Sequence, residues 1–302
     1  MELSVIVPCY NESANINEFY NDLKNHLKKE KLDSYEILFV NDGSSDDTVD
    51  KIKDIIKKDK DVKLISFSRN FGKESAMLAG LKNVSGKYIS IMDADMQHKP
   101  SFMLSMYNKL KDNKEYDIVC AYRDNRDDEG STKRTLTALF YKINNLVSYV
   151  KLLPGASDFR VFKACVKDAL IPVQEKSKFL KGAFSWVGFN TIYMPYTPEK
   201  RVHGTSTWSI YKLLKYSLGG IISFSNKPLK AIFICSLAIT IIALSNFLLL
   251  GRLANKTIIL LLGLIFLSLG IIALYLSKMY SNNQNRPNYI IKEKIGFTKT
   301  TK

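Results

Sequence analysis

A short apolar run that ends in two carboxylates constrains the fold of this chain more than any other feature. The run spans Tyr88 to Met92, and Asp93 and Asp95 follow it directly. Such a run with β-branched residues is typical of a parallel strand that is covered on both faces. In open α/β sheets, ligands bind beyond the carboxyl ends of the strands. We therefore expect a binding site at these two carboxylates.

Two acids that are one residue apart at a strand end are suited to holding a divalent cation. Their oxygens are hard ligands, and a substrate phosphate can complete the coordination shell. Gln97 offers a third oxygen at the same edge. The same short pattern is also common in turns and helix caps, so the neighbouring segments must decide between the two interpretations.

Strands and helices alternate through the first half of the chain. Apolar runs predict strands near residues 3–7, 35–40, 62–66 and 88–92, and helical periodicity predicts helices near 14–29, 49–58, 74–83 and 101–111. This alternation predicts right-handed βαβ units and a mostly parallel sheet. Because the carboxyl ends of parallel strands share one edge, we expect Tyr10, Glu12, Asp42, Asp93 and Asp95 to face a single ligand.

Two amphipathic segments and a charged segment follow. We expect further strands near 117–122, 158–162 and 190–195, and the charged segment 123–134 is predicted to be a mobile loop that handles ligands. Residues 135–150 and 209–224 predict helices with one apolar face. Both helices can lie on a membrane surface or pack on the protein core, and the sequence alone leaves this choice open for 135–150.

Two long apolar runs near the C-terminus predict a transmembrane hairpin. Residues 229–250 carry only Lys230 as a charge, and residues 257–277 carry none. Each run has about the 20 residues that span a hydrocarbon core, and the alternative is a buried hairpin in a soluble protein. Flanking lysines and arginines predict that both termini are cytoplasmic. We expect a catalytic domain at 1–225, two membrane helices within 229–278, and a basic cytoplasmic tail at 279–302.

The net charge of +15, from 44 Lys and Arg against 29 Asp and Glu, suits nucleic acid, an anionic membrane surface or phosphorylated ligands. Because the apolar hairpin explains much of this charge, we expect a membrane and no nucleic acid as partners. The four cysteines form no C-x-x-C pair, which is typical of a reducing compartment. The first residues predict a strand and not a signal peptide.

Several segments in order resemble glycosyltransferase family 2. They are Val7-Pro-Cys-Tyr-Asn-Glu12, Asn41-Asp-Gly-Ser-Ser-Asp-Asp-Thr48, Asn70-Phe-Gly-Lys73 and Asp93-Ala-Asp-Met-Gln-His98. The later segments 157–160 and 223–228 are similar to the polyprenyl-phosphate branch, which contains bactoprenol glucosyltransferases and dolichol-phosphate mannosyltransferase. The resemblance covers about residues 1–280. It implies the GT-A fold, an α/β fold with a Rossmann-like, mostly parallel sheet and flanking helices, here followed by a C-terminal two-helix transmembrane hairpin.

The resemblance also implies site residues. The implied substrate and nucleotide ligands are Pro8, Tyr10, Glu12, Asp42, Lys73, Asp93, Ala94, Arg123, Arg134 and Arg201. The implied ligands of Mg²⁺ or Mn²⁺ are Asp93, Asp95 and Gln97, and the implied catalytic residues are Asp158 and Asp95. Two positions depart from the family pattern: Lys181 replaces a common arginine, and Thr207 replaces a lysine that can steady a diphosphate.

The function implied is an inverting transfer of one sugar from a nucleotide-sugar donor, UDP-glucose, to undecaprenyl phosphate at the cytoplasmic membrane face. Alternatives are a UDP-GlcNAc or GDP-mannose donor, a catalytically silent membrane adaptor, and a processive polysaccharide synthase. The last alternative calls for more membrane spans and a Gln-x-x-Arg-Trp motif, which this sequence lacks. Gly263 and Gly270 would allow close packing in a homo-oligomer.

Overall fold

The apolar runs of the sequence form strands of a single sheet. The structure is a computed structural model that describes residues 1–32, 34–123, 131–176, 179–197, 219–250, 255–284 and 286–297. Its strands are β1 Leu3–Cys9, β2 Tyr35–Asn41, β3 Val62–Phe67, β4 Tyr88–Ile91, β5 Ile118–Tyr122, β6 Ala156–Lys163, β7 Thr191–Pro195 and β8 Ile291–Ile295. They lie in the order β7-β5-β6-β4-β1-β2-β3-β8.

Helices cover both faces of this sheet. They are α1 Ile16–Glu30, α2 Thr48–Lys58, α3 Lys73–Asn83, α4 Pro100–Asp112, α5 Ser131–Val147, α6 Ala164–Lys176, α7 Leu180–Trp186, α8 Lys227–Leu250 and α9 Asn255–Asn283. The first four confirm the predicted helices to within two residues at each end. The sequence patterns do not predict α6. Residues 219–224 are helical, and the rest of the predicted 209–224 helix lies outside the described residues.

The centre of the sheet is parallel, as the βα alternation predicts. β4, β1, β2 and β3 pair in parallel, with Cys9 opposite Asn41 and Asn41 opposite Ser66. The carboxyl ends of these strands therefore meet at one edge. Helix α3 crosses β1 closely at Gly80, where an added Cβ would lie 2.3 Å from a side-chain carbon of Ile6.

Each central strand feeds two separate apolar clusters, one on each face. β1 contributes Val5 and Val7 to one cluster, together with Phe19 of α1, and Ile6 to the other, together with Met77 of α3. Because both faces of the strand are buried, its sequence is apolar except for the buried Ser4 and does not alternate between apolar and polar residues. This explains why the strand ends are the places where polar residues collect.

Two strands, β6 and β8, run antiparallel to the strands of the parallel centre. β6 pairs antiparallel with both β4 and β5, and Ile91 lies opposite Arg160. Continuing this register by two residues places Asp93 opposite Asp158. The mixed sheet therefore brings a carboxylate from β6 to the same edge as the end of β4.

The amino-terminal end of the parallel strands contains a buried carboxylate. Glu36 is fully buried and accepts hydrogen bonds from Ser4 Oγ at 2.6 Å, Lys63 Nζ at 2.6 Å and the Ser85 N–H at 2.8 Å. Burial alone raises the pKa of Glu36, but the hydrogen bonds from Lys63, Ser4 and Ser85 outweigh it, so that its pKa is lowered. This cluster ties β1, β2 and β3 together at their first residues.

Strand β8 comes from the segment that follows the second long helix. It pairs antiparallel with β3, with Leu64 opposite Ile295 and Ser66 opposite Glu293. The apolar pattern of the sequence does not predict this strand, and residues 279–302 are expected only to be a basic tail. The tail instead completes one edge of the sheet.

The two long apolar helices differ in what the structure describes of them. Residues Leu261–Asn283 of α9 are long and apolar enough to cross a membrane. No second helix among the described residues meets the same test. The two helices contact each other, and Tyr275 of α9 donates a hydrogen bond to the Ser225 carbonyl just before α8 at 2.8 Å. The transmembrane hairpin stays a prediction.

Helix α5 begins earlier than predicted, at Ser131, and ends at Val147. Residues 124–130 of the predicted mobile loop lie outside the described residues, and the remainder of that segment is helical. α5 has two apolar sides: Tyr141 is buried in the protein, whereas Leu139, Ile143 and Leu146 are exposed, Leu146 to 74%. The helix therefore packs on the core and still presents an apolar face outward.

Candidate active site

The loops that follow β1 and β2 are joined by mutual hydrogen bonds. The Asn11 N–H donates to Ser44 Oγ at 2.9 Å, and the Ser45 N–H donates to Asn11 Oδ1 at 2.9 Å. The Glu12 N–H donates to Thr48 Oγ1 at 2.9 Å. Asn11 has a left-handed backbone with φ of 55°, a conformation that asparagine tolerates better than most residues. The two predicted nucleotide loops thus form one unit.

Asp42 organises a third loop, which follows β3. Its Oδ1 accepts the Phe71 N–H at 2.6 Å, and its Oδ2 accepts the Gly72 N–H at 2.9 Å. Gly43 allows this approach, because a Cβ there would lie 2.3 Å from the Arg69 carbonyl carbon. Asp42 therefore holds the residues that lead into α3, and its role as a nucleotide ligand stays a prediction.

Lys73, the first residue of α3, forms an ion pair with Asp93. Its Nζ lies 2.6 Å from one carboxylate oxygen of Asp93 and 2.7 Å from the other. Burial alone lowers the pKa of Lys73, but the nearby carboxylates of Asp93 and Asp158 outweigh it, so that its pKa is raised. The structure thus brings together three of the predicted site residues around one ammonium group.

The backbone turns sharply between the two predicted metal-binding carboxylates and Gln97. Asp95 is largely buried, and its Oδ1 accepts the Gln97 N–H at 3.2 Å. Between them, Met96 has a left-handed φ of 62°, which is strained for a non-glycine residue and is frequent at functional sites. Ala94 is buried beneath this turn.

The carboxylates of this turn do not form a metal site by themselves. In the described ranges, no group of three or more His, Cys, Asp or Glu side chains could hold a metal ion. Asp93, Asp95 and the amide oxygen of Gln97 therefore amount to a partial set of ligands. Water and a phosphorylated ligand can supply the others.

His98 was not among the predicted ligands, and the structure packs it beside the acidic edge. Its ring stacks on Phe159 with centroids 4.3 Å apart and lies 5.6 Å from Tyr196. Burial lowers its pKa, and its Nδ1 is a buried atom with no hydrogen-bond partner among the described residues. Its stacking on Phe159, the neighbour of Asp158, joins the β4 loop to β6.

Arg160 is a second residue that the predicted site does not include. It is buried, its Nε–H donates to the Ser157 carbonyl at 3.0 Å, and its guanidinium lies 4.3 Å above the Phe184 ring. These contacts fix the strand on both sides of Asp158. The sequence signal that could have identified Arg160 is its place in the segment Ser157-Asp-Phe-Arg160, which is similar to the polyprenyl-phosphate branch.

The predicted arginines are only partly accounted for. Arg123 directly follows β5, and its backbone N–H donates to the Gly155 carbonyl at 3.0 Å. The side chain of Arg134 and all of Arg201 lie outside the described residues, as does Thr207. Pro8 is buried within β1, and Tyr10 is exposed just after the end of this strand.

Residues 4–166 match the family model for glycosyl transferase family 2, and this chain belongs to that family. The fold is correspondingly GT-A-like. The crystal structure of mannosyl-3-phosphoglycerate synthase from Rubrobacter xylanophilus aligns with a TM-score of 0.52 at 17% identity, over 74% of this chain and 72% of that one. This similarity concerns the fold alone.

Relatives of nearly the same length are more similar in sequence. CsbB of Bacillus subtilis, described as a glycosyltransferase, is 38% identical over 96% of this chain and 91% of its own length. The bactoprenol glucosyl transferase of Shigella phage SfV is 33% identical over 97% and 98%. A prophage bactoprenol glucosyl transferase homolog of Escherichia coli K12 is 32% identical over 97% and 99%. The chain thus resembles these relatives along its whole length.

Proposed function

We propose that this chain transfers one glucose from UDP-glucose to undecaprenyl phosphate, with inversion at the anomeric carbon, at the cytoplasmic face of a membrane. The names of the full-length phage and prophage relatives support the acceptor class and the sugar. The observation that carries the proposal is the cluster of Lys73, Asp93 and Asp158 at the edge where the four loops meet.

The residues at this edge fit a divalent ion, Mg²⁺ or Mn²⁺. Asp93, Asp95 and Gln97 offer hard oxygen ligands within five residues, and such ions are commonly held by one or two carboxylates with substrate phosphates. When bound, the ion supplies Lewis-acid stabilisation of the charge on the departing nucleoside diphosphate. Because Asp95 is largely buried and held by the Gln97 N–H, its carboxylate is oriented before a ligand arrives.

The donor nucleotide is assigned to the joined loops. The first loop contains Tyr10 and Glu12, and Pro8 lies in the strand just before it. Asp42 accepts a hydrogen bond from the third loop. Lys73 stands between these loops and the acidic turn, so its ammonium group can pass from Asp93 to a donor phosphate. A pre-positioned cation in a partly desolvated site stabilises negative charge that develops during the reaction.

Asp158 is assigned to the acceptor. A phosphate monoester has a second pKa of about 6 and is already anionic near neutral pH, so it needs little help to lose a proton. We infer that Asp158 orients the acceptor or the divalent ion. Asp158→Asn should lower kcat about a hundredfold and leave UDP binding unchanged. Steady-state kinetics and calorimetric UDP titration measure the two quantities, and an equal loss of UDP affinity would reject this role.

The two long helices are proposed to span the membrane as a hairpin between a catalytic domain at 1–225 and the tail. Strand β8 pairs with β3 of the catalytic domain, although α8 and α9 separate them in sequence. Both ends of the helical pair therefore lie on the side of the catalytic domain, which supports two crossings. The flanking basic residues favour the cytoplasm for that side.

Helix α5 is proposed to lie on the membrane surface. Its exposed residues Leu139, Ile143 and Leu146 recur at helical spacing on one face. The end of α5 is bound to the start of α8, because Lys227 Nζ donates to the Leu146 carbonyl at 3.1 Å and Tyr149 Oη donates to Asn226 Oδ1 at 2.5 Å. The apolar face therefore adjoins the helix that enters the bilayer, as an interfacial helix requires.

Mass measurement of the lipid product tests the proposal. The full chain, purified in detergent, is incubated with undecaprenyl phosphate, Mn²⁺ or Mg²⁺, and UDP-glucose, UDP-GlcNAc or GDP-mannose in separate reactions. We expect a hexosyl lipid from UDP-glucose only, and its loss when the metal is chelated. A product from another donor would change the sugar that we assign. If no donor gave a lipid product or released its nucleotide, the result would support a silent adaptor.

A further inference from the structure

Residues 290–295 of the tail that follows α9 are attached to the sheet and its flanking helices. The Ser68 N–H donates to the Ile290 carbonyl at 3.0 Å, before the β8 ladder begins. Glu293 pairs with Lys53 at 3.0 Å, and Lys294 Nζ donates to Asn83 Oδ1 at 2.7 Å. These contacts join the segment after α9 to the part of the catalytic domain that is proposed to bind the donor.

An aromatic series leads from this tail into the third loop of the site. The Tyr289 ring stacks on Phe67, with centroids 4.9 Å apart and planes 11° from parallel. Phe67, the last residue of β3, meets Phe71 edge to face at 5.8 Å. The Arg69 guanidinium lies over the Phe71 ring, 4.1 Å from its centroid. The ring of Phe71 is therefore held from both the tail and the loop.

The backbone of the same loop makes the contacts that define the donor site. Phe71 and Gly72 donate their N–H groups to Asp42, and the next residue, Lys73, pairs with Asp93. One of these N–H groups belongs to Phe71 itself and the other to the next residue, so a displacement of the Phe71 ring would shift both. The loop has the Gly72 φ of 96°, a conformation that few other residues would hold in its place.

We propose that Tyr289 is a positioning residue for the nucleotide-sugar donor. By stacking on Phe67 it holds Phe71, and through Phe71 it keeps the loop in the conformation that binds Asp42 and presents Lys73. This inference rests on the proposed function for its donor, and its structural part stands on the contacts alone. The tail thereby makes donor binding depend on the segment that leaves the membrane helix.

Phe297 provides a matched control on the same tail. Its ring lies at the opposite end of β8, between Lys63 Nζ at 5.3 Å and Lys294 Nζ at 5.4 Å. Removing either ring weakens the attachment of the tail, but only Tyr289 touches the residue that supports Phe71. Tyr289→Phe keeps the stacked ring and tests whether the ring, and not the hydroxyl group, acts.

The experiment compares Tyr289→Ala, Tyr289→Phe and Phe297→Ala in the full chain. Amide hydrogen exchange reports on the 69–73 segment without any substrate, and kinetics report KM for UDP-glucose and for undecaprenyl phosphate. For Tyr289→Ala we expect faster exchange of this segment and a donor KM raised about threefold to tenfold, the range of one aromatic pair. The acceptor KM should stay unchanged, and the other two variants should resemble wild type.

Unchanged exchange in Tyr289→Ala, or equal effects in Phe297→Ala, would overturn the inference. A rise in both KM values together would do the same, since it would indicate a general loss of structure. If wild-type protein used none of the donors, the proposed function would fail, while the exchange of the 69–73 segment would still decide whether Tyr289 positions the loop.

Discussion

The two ends of the parallel strands each contain a carboxylate bound to a lysine, and the two pairs differ in how far they are exposed to solvent. At the amino-terminal end, Glu36 is 0% exposed and its partner Lys63 has a side chain that is 19% exposed. At the carboxyl end, the side chains of Asp93 and Lys73 are 28% and 37% exposed. The first pair is enclosed by the fold, whereas the second faces outward.

The partners of each carboxylate explain this difference. Glu36 accepts bonds from a hydroxyl group, an ammonium group and a backbone N–H of three separate segments, so it links strands. Asp93 lies in the same turn as Met96, whose backbone conformation is strained. The charge of its partner Lys73 is also stabilised by the Asp158 carboxylate. A buried ion pair with well-satisfied oxygens stabilises the fold only while both partners remain. An exposed pair at a strand end can exchange partners with a ligand.

Asp93→Asn should have the largest effect, and the effect should fall on activity. Loss of the carboxylate removes a ligand of the divalent ion and with it several kcal/mol of transition-state stabilisation, so kcat/KM should fall at least about a thousandfold. Product formation with radiolabelled UDP-glucose measures this. The thermal midpoint should stay within about 2 °C of wild type, because the Lys73 side chain is partly exposed and the Asp158 carboxylate still stabilises its charge.

Glu36→Gln should have the opposite profile. It leaves Lys63 without its buried partner, so we expect the free energy of unfolding to fall by about 3 kcal/mol. Denaturant titration of the detergent-solubilised chain measures the loss. The donor KM of the folded fraction should not change, and a change in KM with normal stability would erase the distinction between the two ends.

Acidification provides the control for this variant. Because the folded-state pKa of Glu36 is lowered, its contribution to stability is present above its unfolded pKa of about 4.3 and is lost as pH falls through the folded value. Glu36→Gln cannot lose that contribution. The stability gap between wild type and variant should therefore narrow progressively below about pH 4, and a constant gap would contradict the assignment.

Lysine substitutions sharpen the same contrast with a smaller effect. Lys73→Gln removes a charge that we assign to the donor phosphates, so the donor KM should rise about tenfold to a hundredfold, the range of a hydrogen bond to a charged group. Lys63→Gln should leave the KM unchanged and lower stability, because Glu36 remains buried without its cation. Paired measurements of KM and thermal midpoint separate the two, and matching profiles would mean that the ends are equivalent.

The parallel centre of the fold was predictable from sequence because its strands are buried on both faces. Runs such as 3–7 and 62–66 are mostly apolar and do not alternate regularly between apolar and polar residues, and most polar residues of this part of the chain lie in the loops. Strand β8 was not predictable, since Ile291–Ile295 has only five residues and three of them, between the two isoleucines, are charged. Its partner β3 is more than two hundred residues away, and no local pattern encodes so distant a pairing.

The candidate site was predictable in its residue types and incompletely in its contacts. The position of Asp93 at a strand end follows from periodicity, and the structure brings it to Lys73 as the shared edge requires. The two hydrogen bonds that Asp42 accepts from the 71–72 backbone were not predictable, because they depend on how closely the loops after β2 and β3 approach each other at Gly43. Tyr289 could not be anticipated for the same reason as β8.

The smallest expected effects come from two serines, one at each end of the strands. Ser4 Oγ donates to Glu36 and accepts the Gly86 N–H at 2.8 Å, whereas Ser66 Oγ accepts from Asn41 Nδ2 at 2.9 Å beside the Asp42 loop. Ser4→Ala should lower stability by about 1 kcal/mol, the value of one or two hydrogen bonds, with an unchanged donor KM.

Ser66→Ala should instead raise the donor KM about twofold to fivefold, because Asn41 loses the bond that orients the chain just before Asp42 and the remaining contacts compensate in part. Its stability loss should be no greater than that of Ser4→Ala. Kinetics and denaturant titration of both variants in parallel decide the matter. If Ser4→Ala changed the KM as much as Ser66→Ala, the division between a structural and a functional end would not extend beyond the charged residues.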